Sequence, residues 1–558
     1  ALEKPFIKFF LRASAPPLAR MNDSLRVRCC PSASPPLNYP TMCKSISSIA
    51  LATSLFAGFA GAQTAELTWS DGVLGSGVTY DLIGPAGELF YLLPSFTPGP
   101  TPIAFFDPSD PRLLGVGIDL LSFAQLGFLV PTASISLPLP AIPALSGMEL
   151  RAQFVSIDPS FAGPTLVSEI SNVSSFILGM SGDVVGTVGD VVTSRQGHSA
   201  TTLPDGRILI AGGDEPNIAG VLSTIDTFEI FNPETQSFTS GGGMANARST
   251  HTATALADGR VLIVGGYSIY GPGIASPTAE IYDPATGLST SVASPSIGRT
   301  LHTATLLPDG RVFVIGGGEM FDLNDIFGSL ATVSNTTEIY DPVANTWTAG
   351  PILPNPLLAH QASLLSDGKV LITSGVTVGS LFGIPVPSFT SSCYRFDPSA
   401  SPGFIATSSM PAARAYHGQI TLPTGGAMVL GGATGNFTAL TFSTHTDVYT
   451  YNHLTNSWTS AGNINVARAY PNLIDTGSGI AVIAGLTNVD VTTGTGTPAI
   501  EIETSSYSGL GWTISGVQAL PRQTPRVSLI DDGKRILIVG TGNNGSSAVD
   551  KTAEVFIP

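Results

Sequence analysis

Along the second two thirds of this chain, short apolar runs recur at regular intervals between polar turns. "SATTLPDGRILIAGG" at 199–213, "TATALADGRVLIVGG" at 252–266 and "TATLLPDGRVFVIGGG" at 303–318 share one pattern. Fainter copies follow at 362–375, 420–432, 473–485 and 528–542. Each copy reads as two short strands around a tight turn, usually Asp-Gly, a dipeptide that tolerates the positive φ of two-residue hairpin loops. A glycine loop that cradles phosphate would occur once, between a strand and a helix. Repetition makes these glycines architectural.

A second pattern sets the period. A four-residue anchor precedes each first strand: "RQGH" ending at His198, "RSTH" at His251, "RTLH" at His302, "LLAH" at His360, "RAYH" at His417, "RAYP" at Pro471 and "RQTP" at Pro525. The steps between anchors run from 51 to 58 residues. After each glycine pair comes a variable loop, then a third strand such as "EIFNP" (229–233), "EIYDP" (280–284 and 338–342), "YRFDP" (394–398) or "YTYNH" (449–453). A fourth, outer strand opens at Trp347 and Trp458, and Trp512 fills that role in the sixth unit.

A period near fifty with a diglycine after a strand resembles the kelch repeat. The unit is similar to a blade of the kelch and galactose-oxidase-type β-propeller. The resemblance covers roughly 183–558 and implies an all-β fold, a seven-bladed kelch β-propeller preceded by a small β-sandwich. The chain ends at "AEVFIP", a third strand, while "GDVVGTVGDVV" at 182–192 is left over upstream of the first anchor. The expectation is that 182–192 closes the last blade, because ring closure removes exposed sheet edges. The propeller then spans 182–558. Residues 63–181 carry no copy of the repeat, and runs such as "ELFYLLPSF" and "MELRAQFVSI" predict the sandwich.

Composition agrees with many strands and turns. Charged residues make up 11% of the 558, while Gly and Pro number 62 and 43. The net charge of −16 argues against nucleic acid as a partner. Residues 42–62, "MCKSISSIALATSLFAGFAGA", have the basic start, apolar run and A-x-A end of a secretory signal. The apolar run is shorter than the ~20 residues a spanning helix needs. Residues 1–41, basic and Pro/Ser-rich, read as a non-native or disordered extension. The expectation is a secreted or periplasmic monomer without a membrane span. The pairing of "LLGVGIDLL" with "PALSGMELRAQFVSIDP" looks similar to N-terminal segments of exported planctomycete-type bacterial proteins. Cys29, Cys30 and Cys43 precede the cleavage site, which leaves Cys393 free and without a disulfide.

In a four-stranded meander, the anchors and the loops between second and third strands lie on one face, and the Asp-Gly turns lie on the other. The long-loop face is the candidate binding surface for a polysaccharide or a cell-surface protein. Its candidate residues are Asp214, Glu215, Tyr267, Tyr270, Glu319, Phe321, Asp322, Asp325, Phe382 and Phe437. Loop aromatics including Phe389 and Phe442 could instead pack the loops against one another. The anchors Arg195, His198, Arg248, His251, Arg299, His302, His360, Arg414 and His417 read as structural. One histidine per blade is a ring of separated residues, not a ligand cluster. Six arginines (those at 195, 248, 299, 414, 468 and 522) and the acids Glu229, Glu280, Glu338, Glu501 and Glu554 predict buried Arg–Glu pairs. "DLND" at 322–325 offers oxygen ligands but lacks an EF-hand frame, so no metal is expected.

The resemblance also implies an alternative, a carbohydrate-active enzyme. Galactose-oxidase-like copper radical enzymes use a Tyr crosslinked to Cys, a second Tyr and two His. Some exported kelch propellers are sugar mutarotases. Neither set of catalytic residues maps onto this chain, so the reading is a non-catalytic recognition protein without a cofactor.

Overall fold

The computed structural model describes residues 65–558, except 106–108, 122–123, 130, 161–164, 188, 217–221, 269–273, 321–325, 383, 401–402, 438–440, 491–494, 508–510, 523 and 541–550. The extension, the leader and the three early cysteines lie outside these residues, as do Tyr270, Phe321, Asp322 and Asp325.

Among the described residues seven four-stranded antiparallel sheets build the ring, and the first six are simple meanders. In blade 2 the strands are Thr252–Ala255, Val261–Val264, Ala279–Asp283 and Leu288–Ser291. The inner strands neighbour one another in cyclic order, and that of the seventh blade, Arg526–Ile530, returns to that of the first, Ser199–Thr202. The ring is therefore closed. In the seventh sheet the outer strand is Val184–Gly186, which pairs with Glu554–Phe556.

The second strand of each blade explains the apolar runs. Ile208–Ala211, Val261–Val264 and Val312–Ile315 are buried at every position. They lie mid-sheet with a neighbouring blade against each face, so both side-chain directions meet apolar partners. Outer strands such as Leu288–Ser291 are largely exposed and polar.

The diglycine has a steric cause. Gly212 and Gly213 have φ of 56° and 101°. A Cβ on Gly212 would stand 2.5 Å from the Arg248 carbonyl of the next blade, and one on Gly213 would stand 2.6 Å from the Gln196 carbonyl. The Gly213 N–H donates to that Arg248 carbonyl at 2.9 Å. Gly266 does the same to Arg299, Gly317 to Leu357 and Gly432 to Arg468. The glycines thus let each blade bond the anchor of the next.

Upstream of the ring, Glu66–Val73, Gly77–Ile83 and Thr132–Pro138 form one sheet. Gln125–Phe128, Leu89–Ser95, Glu149–Ile157 and Ser174–Ile177 form another. Leu67, Tyr80, Leu82, Leu92, Phe154 and Phe176 share their core. This module meets the ring on its turn face, where Ile177 and Val73 pack with Val185, Ile208, Leu537 and Val555. The clamp is Arg535, which begins the second strand of blade 7 and is fully buried. Its guanidinium lies 4.8 Å from the Trp69 ring and 5.3 Å from Phe176. It also donates to the carbonyls of Gly72 (2.8 Å) and Ile177 (3.3 Å). Burial lowers its pKa to about 10, with Asp531 opposing the shift. Trp69 Nε1 adds a 3.0 Å bond to the Glu234 carbonyl. Arg535→Leu is expected to cost about 2–3 kcal/mol, the scale of a desolvated cation–π contact with charged hydrogen bonds. Denaturant unfolding followed by tryptophan fluorescence reads this; an unchanged midpoint would refute the clamp.

Candidate functional site: the mouth of the central channel

The anchors build the wall. Arg195, Arg248, Arg299, Arg414, Arg468 and Arg522 are each 1% exposed or less, and every one carries an acidic partner. Arg248 shows the common geometry: Nη1 donates to the Gly265 and Thr278 carbonyls, and Nη2 to Thr278 Oγ1 and Glu280 Oε1 (2.7 Å). Glu229, Glu280, Glu338 and Glu554 serve as expected from the sequence. Glu501 does not. Arg468 bonds Glu503 at 2.6 Å instead, because Glu503 opposes Val482 in the register that Glu280 holds against Ile263. In blade 5 Tyr449 occupies the glutamate register, and Arg414 turns to Asp447 and the Tyr449 ring. Blade 4 has neither charge: Leu357 replaces the arginine and Tyr394 the glutamate, and the two share an apolar cluster.

The histidines clip blades together. His251 Nε2 pairs with Ser199 Oγ at 2.9 Å, His302 with Thr252 at 3.0 Å and His360 with Thr303 at 2.8 Å, each across a blade boundary. His417 meets Thr373 at 2.8 Å. Arg526 takes this place at the ring's seam, donating from Nε to the His198 carbonyl at 3.0 Å. It is exposed, yet desolvation lowers its pKa.

Just before the anchor histidine or proline of blades 1 to 6, the backbone turns left-handed. φ is 64° at Gly197, 53° at Thr250, 52° at Leu301, 54° at Ala359, 56° at Tyr416 and 53° at Tyr470. These residues form a collar around the axis. Thr250 N–H donates to Gly197 O, Ala359 to Leu301, Tyr416 to Ala359 and Tyr470 to Tyr416. The collar holds Tyr416 and Tyr470 with ring centroids 4.3 Å apart. Burial raises both phenol pKa values, and Tyr470 nevertheless keeps 38% of its surface exposed.

A second ring surrounds the collar. In blades 1 to 6 the residue after the glycine pair, or after the single glycine of blades 4 and 6, bridges to its own blade's anchor: Asp214 to Gln196, Tyr267 to Ser249, Gly318 to Thr300, Val376 to Leu358, Ala433 to Ala415 and Leu486 to Ala469. The mouth is therefore lopsided. Asp214 and Tyr267 make one side polar; Val376, Ala433 and Leu486 make the other apolar. Asp214 is 3% exposed and accepts from Thr224 Oγ1 at 2.9 Å and Tyr267 OH at 3.4 Å. Burial raises its pKa and that of Tyr267.

The other sequence candidates scatter. Glu215 is half-buried on the short hairpin Asp214–Pro216/Leu222–Thr224, and Glu319 is exposed. Phe437 is half-buried and stacks on Phe389 at 5.1 Å, with Phe442 edge-on to both. Those rings pack loops. Phe382 is 96% exposed, far from that cluster along its own hairpin. Tyr416 and Tyr470 were missed as site residues, although the tyrosine in "RAYH" and "RAYP" was a visible signal.

A Kelch motif model matches residues 299–354, the span from the blade 3 anchor past its outer strand. The fold is a kelch propeller. The chain is 25% identical over 275 residues to Kelch-like protein terF of Aspergillus terreus, covering 49% of this chain and 57% of that one. It is 28% identical to Homo sapiens Kelch-like protein 33 over 24% of this chain and 22% of that one. It is 31% identical to Mus musculus Kelch domain-containing protein 9 over 23% and 35%. The match thus spans less than two thirds of each relative. Among solved structures, a fungal AA5-family alcohol oxidase in complex with copper superposes with a TM-score of 0.50 at 15% identity, over 66% of this chain and 75% of that one. YjhT superposes at 0.44 and 14%, over 58% and 98%.

The described residues do not fit the copper radical centre that the galactose-oxidase resemblance implies. Cys393 is buried against Met410 and Val429, and burial pushes its thiol up to about 12. No three His, Cys, Asp or Glu converge as a metal site among the described residues.

Proposed function

We propose that this protein acts by binding, with the channel mouth on the long-loop face as the recognition centre. The observation that carries this is the lopsided ring after the glycines: Asp214 and Tyr267 hydrogen-bond in blades 1 and 2, Val376, Ala433 and Leu486 stand at the matching places in blades 4 to 6, and Tyr470 of the collar keeps 38% of its surface exposed. Such a site grips a ligand that has both hydroxyl or amide groups and a flat apolar surface. Kelch repeats generally mediate protein interactions, which supports a protein partner. A polysaccharide offers the same chemistry and forms the second arm of the test. Export through the leader at 42–62 is part of the proposal, and a secreted form beginning at Gln63 would be its mass-spectrometric signature.

The full chain would be screened on a glycan array and on a protein microarray. A ligand found by either is expected to bind Tyr470→Ala and Asp214→Asn at least about tenfold more weakly, one hydrogen bond or stacking contact being worth that much. Ligands that bind both variants as they bind the parent would place recognition elsewhere.

A further inference from the structure

In blade 4 the second and third strands run on past the sheet. They span Val370–Leu381 and Ile384–Phe396, 12 and 13 residues, where the second strands of blades 1 to 3 have four. Pairing continues from Gly375↔Thr390 out to Leu381↔Ile384. Six residues beyond the glycine, at ~3.3 Å each, carry the tip roughly 20 Å out from the long-loop face. The base is braced. Val376, Val378 and Phe389 pack with Leu330 of the short helix Ile326–Ala331 and with Phe437. The tip is bare: Leu381 is 59% exposed, Phe382 96%, Ile384 63% and Val386 44%.

We propose that this hairpin tip inserts shallowly into a phospholipid bilayer surface. Three observations choose lipid over a protein pocket. No charged residue occurs from 370 to 394, and the hairpin's polar positions are small hydroxyls such as Thr377, Ser380 and Ser388. A protein interface surrounds its apolar centre with a polar rim that selects the partner, and this tip has no charged side chain to build one. Four side chains also fall well short of the ~800 Å² per partner that a standard protein interface buries. Pro385 and Pro387 withhold two N–H donors from the third strand, which blunts it against strand addition. A rigid apolar probe suits the ~5–10 Å depth of the headgroup boundary. The chain's net charge of −16 makes uncharged headgroups the matching surface, since an anionic leaflet repels it. The proposal rests on the hairpin alone and is independent of the channel mouth.

The apolar run at 46–59 could carry the full chain to vesicles by itself, so the readout is placed at the tip. Phe382→Trp in the full chain is mixed with phosphatidylcholine vesicles whose acyl chains are brominated. The new tryptophan is expected to shift to shorter wavelength and be quenched. In Phe382→Trp combined with Leu381→Ser and Ile384→Ser, quenching per lipid is expected to fall ~10-fold or more, as two exposed apolar side chains are lost. The melting temperature should not change, since the tip carries no core contact. Absence of quenching in Phe382→Trp, equal quenching in the triple variant, or quenching that requires phosphatidylglycerol would each overturn the proposal. So would recovery of a protein that seats the tip while vesicles leave it in water.

Discussion

Lowering the pH from 7 to 5 is expected to remove several kcal/mol of folding stability, because the blade-clipping histidines are buried and neutral. Burial takes the pKa of His251, His302 and His360 from 6.5 to about 3, helped at the first two by the neighbouring Arg248 and Arg299. His198 and His417 are driven down too. A depressed histidine pKa means that the unfolded chain binds the proton and the folded chain refuses it. Stability is therefore full above the unfolded value and falls as pH drops from about 6.5 towards about 3. Each group contributes a slope of ~1.4 kcal/mol per pH unit. At pH 5 that is ~2 kcal/mol per histidine, or ~6 for the three, against a typical total of 5–15. Asp214 and Glu554, whose folded-state pKa values are raised, act in the opposite direction but only near the carboxylate range. Denaturant midpoints measured at pH 8, 7, 6 and 5 test the point. A flat profile to pH 5 would mean that the ring accepts protons while folded. His302→Gln should flatten the slope by about one proton's worth.

Arg468→Ala is expected to cost about 3–5 kcal/mol, since it leaves Glu503 buried and uncompensated. Both side chains are fully buried, and Glu503 also accepts the N–H groups of Asn465 and Val466. Replacing both partners should cost far less, and Arg468→Leu with Glu503→Tyr could be close to neutral. The chain contains its own version of that experiment. Blade 4 holds Leu357 and Tyr394 in the same register and packs them together. Equilibrium unfolding of the single and double variants decides the matter. Equal losses in both would show that the ion pair contributes attraction beyond satisfying buried charge.

How much was legible beforehand follows from how local each signal is. Strands and turns were readable because an apolar run buried on both faces, an Asp-Gly turn and a diglycine are each specified within a few residues. The long-loop face followed from meander geometry, yet the site on it did not. The candidate acids and rings were chosen by type and loop position. Burial then sorted them: Asp214 went into the mouth with Tyr267, Phe437 went into a loop-packing stack, and Phe382 stood alone in solvent.

The sequence by itself determined the repeat, the strand order within each unit and the arginine-plus-acid chemistry of the anchors, because these depend on residue type at fixed short spacing. Only the tertiary structure decided which acid meets Arg468, since the pairing register of the second and third strands puts Glu503, not Glu501, opposite Val482. It alone brought Tyr416 to Tyr470, 54 positions apart, and set Arg535 against the stacked rings of Trp69 and Phe176. Those contacts join separate blades or separate sheets, and ring closure and docking, not neighbouring residues, put them within reach.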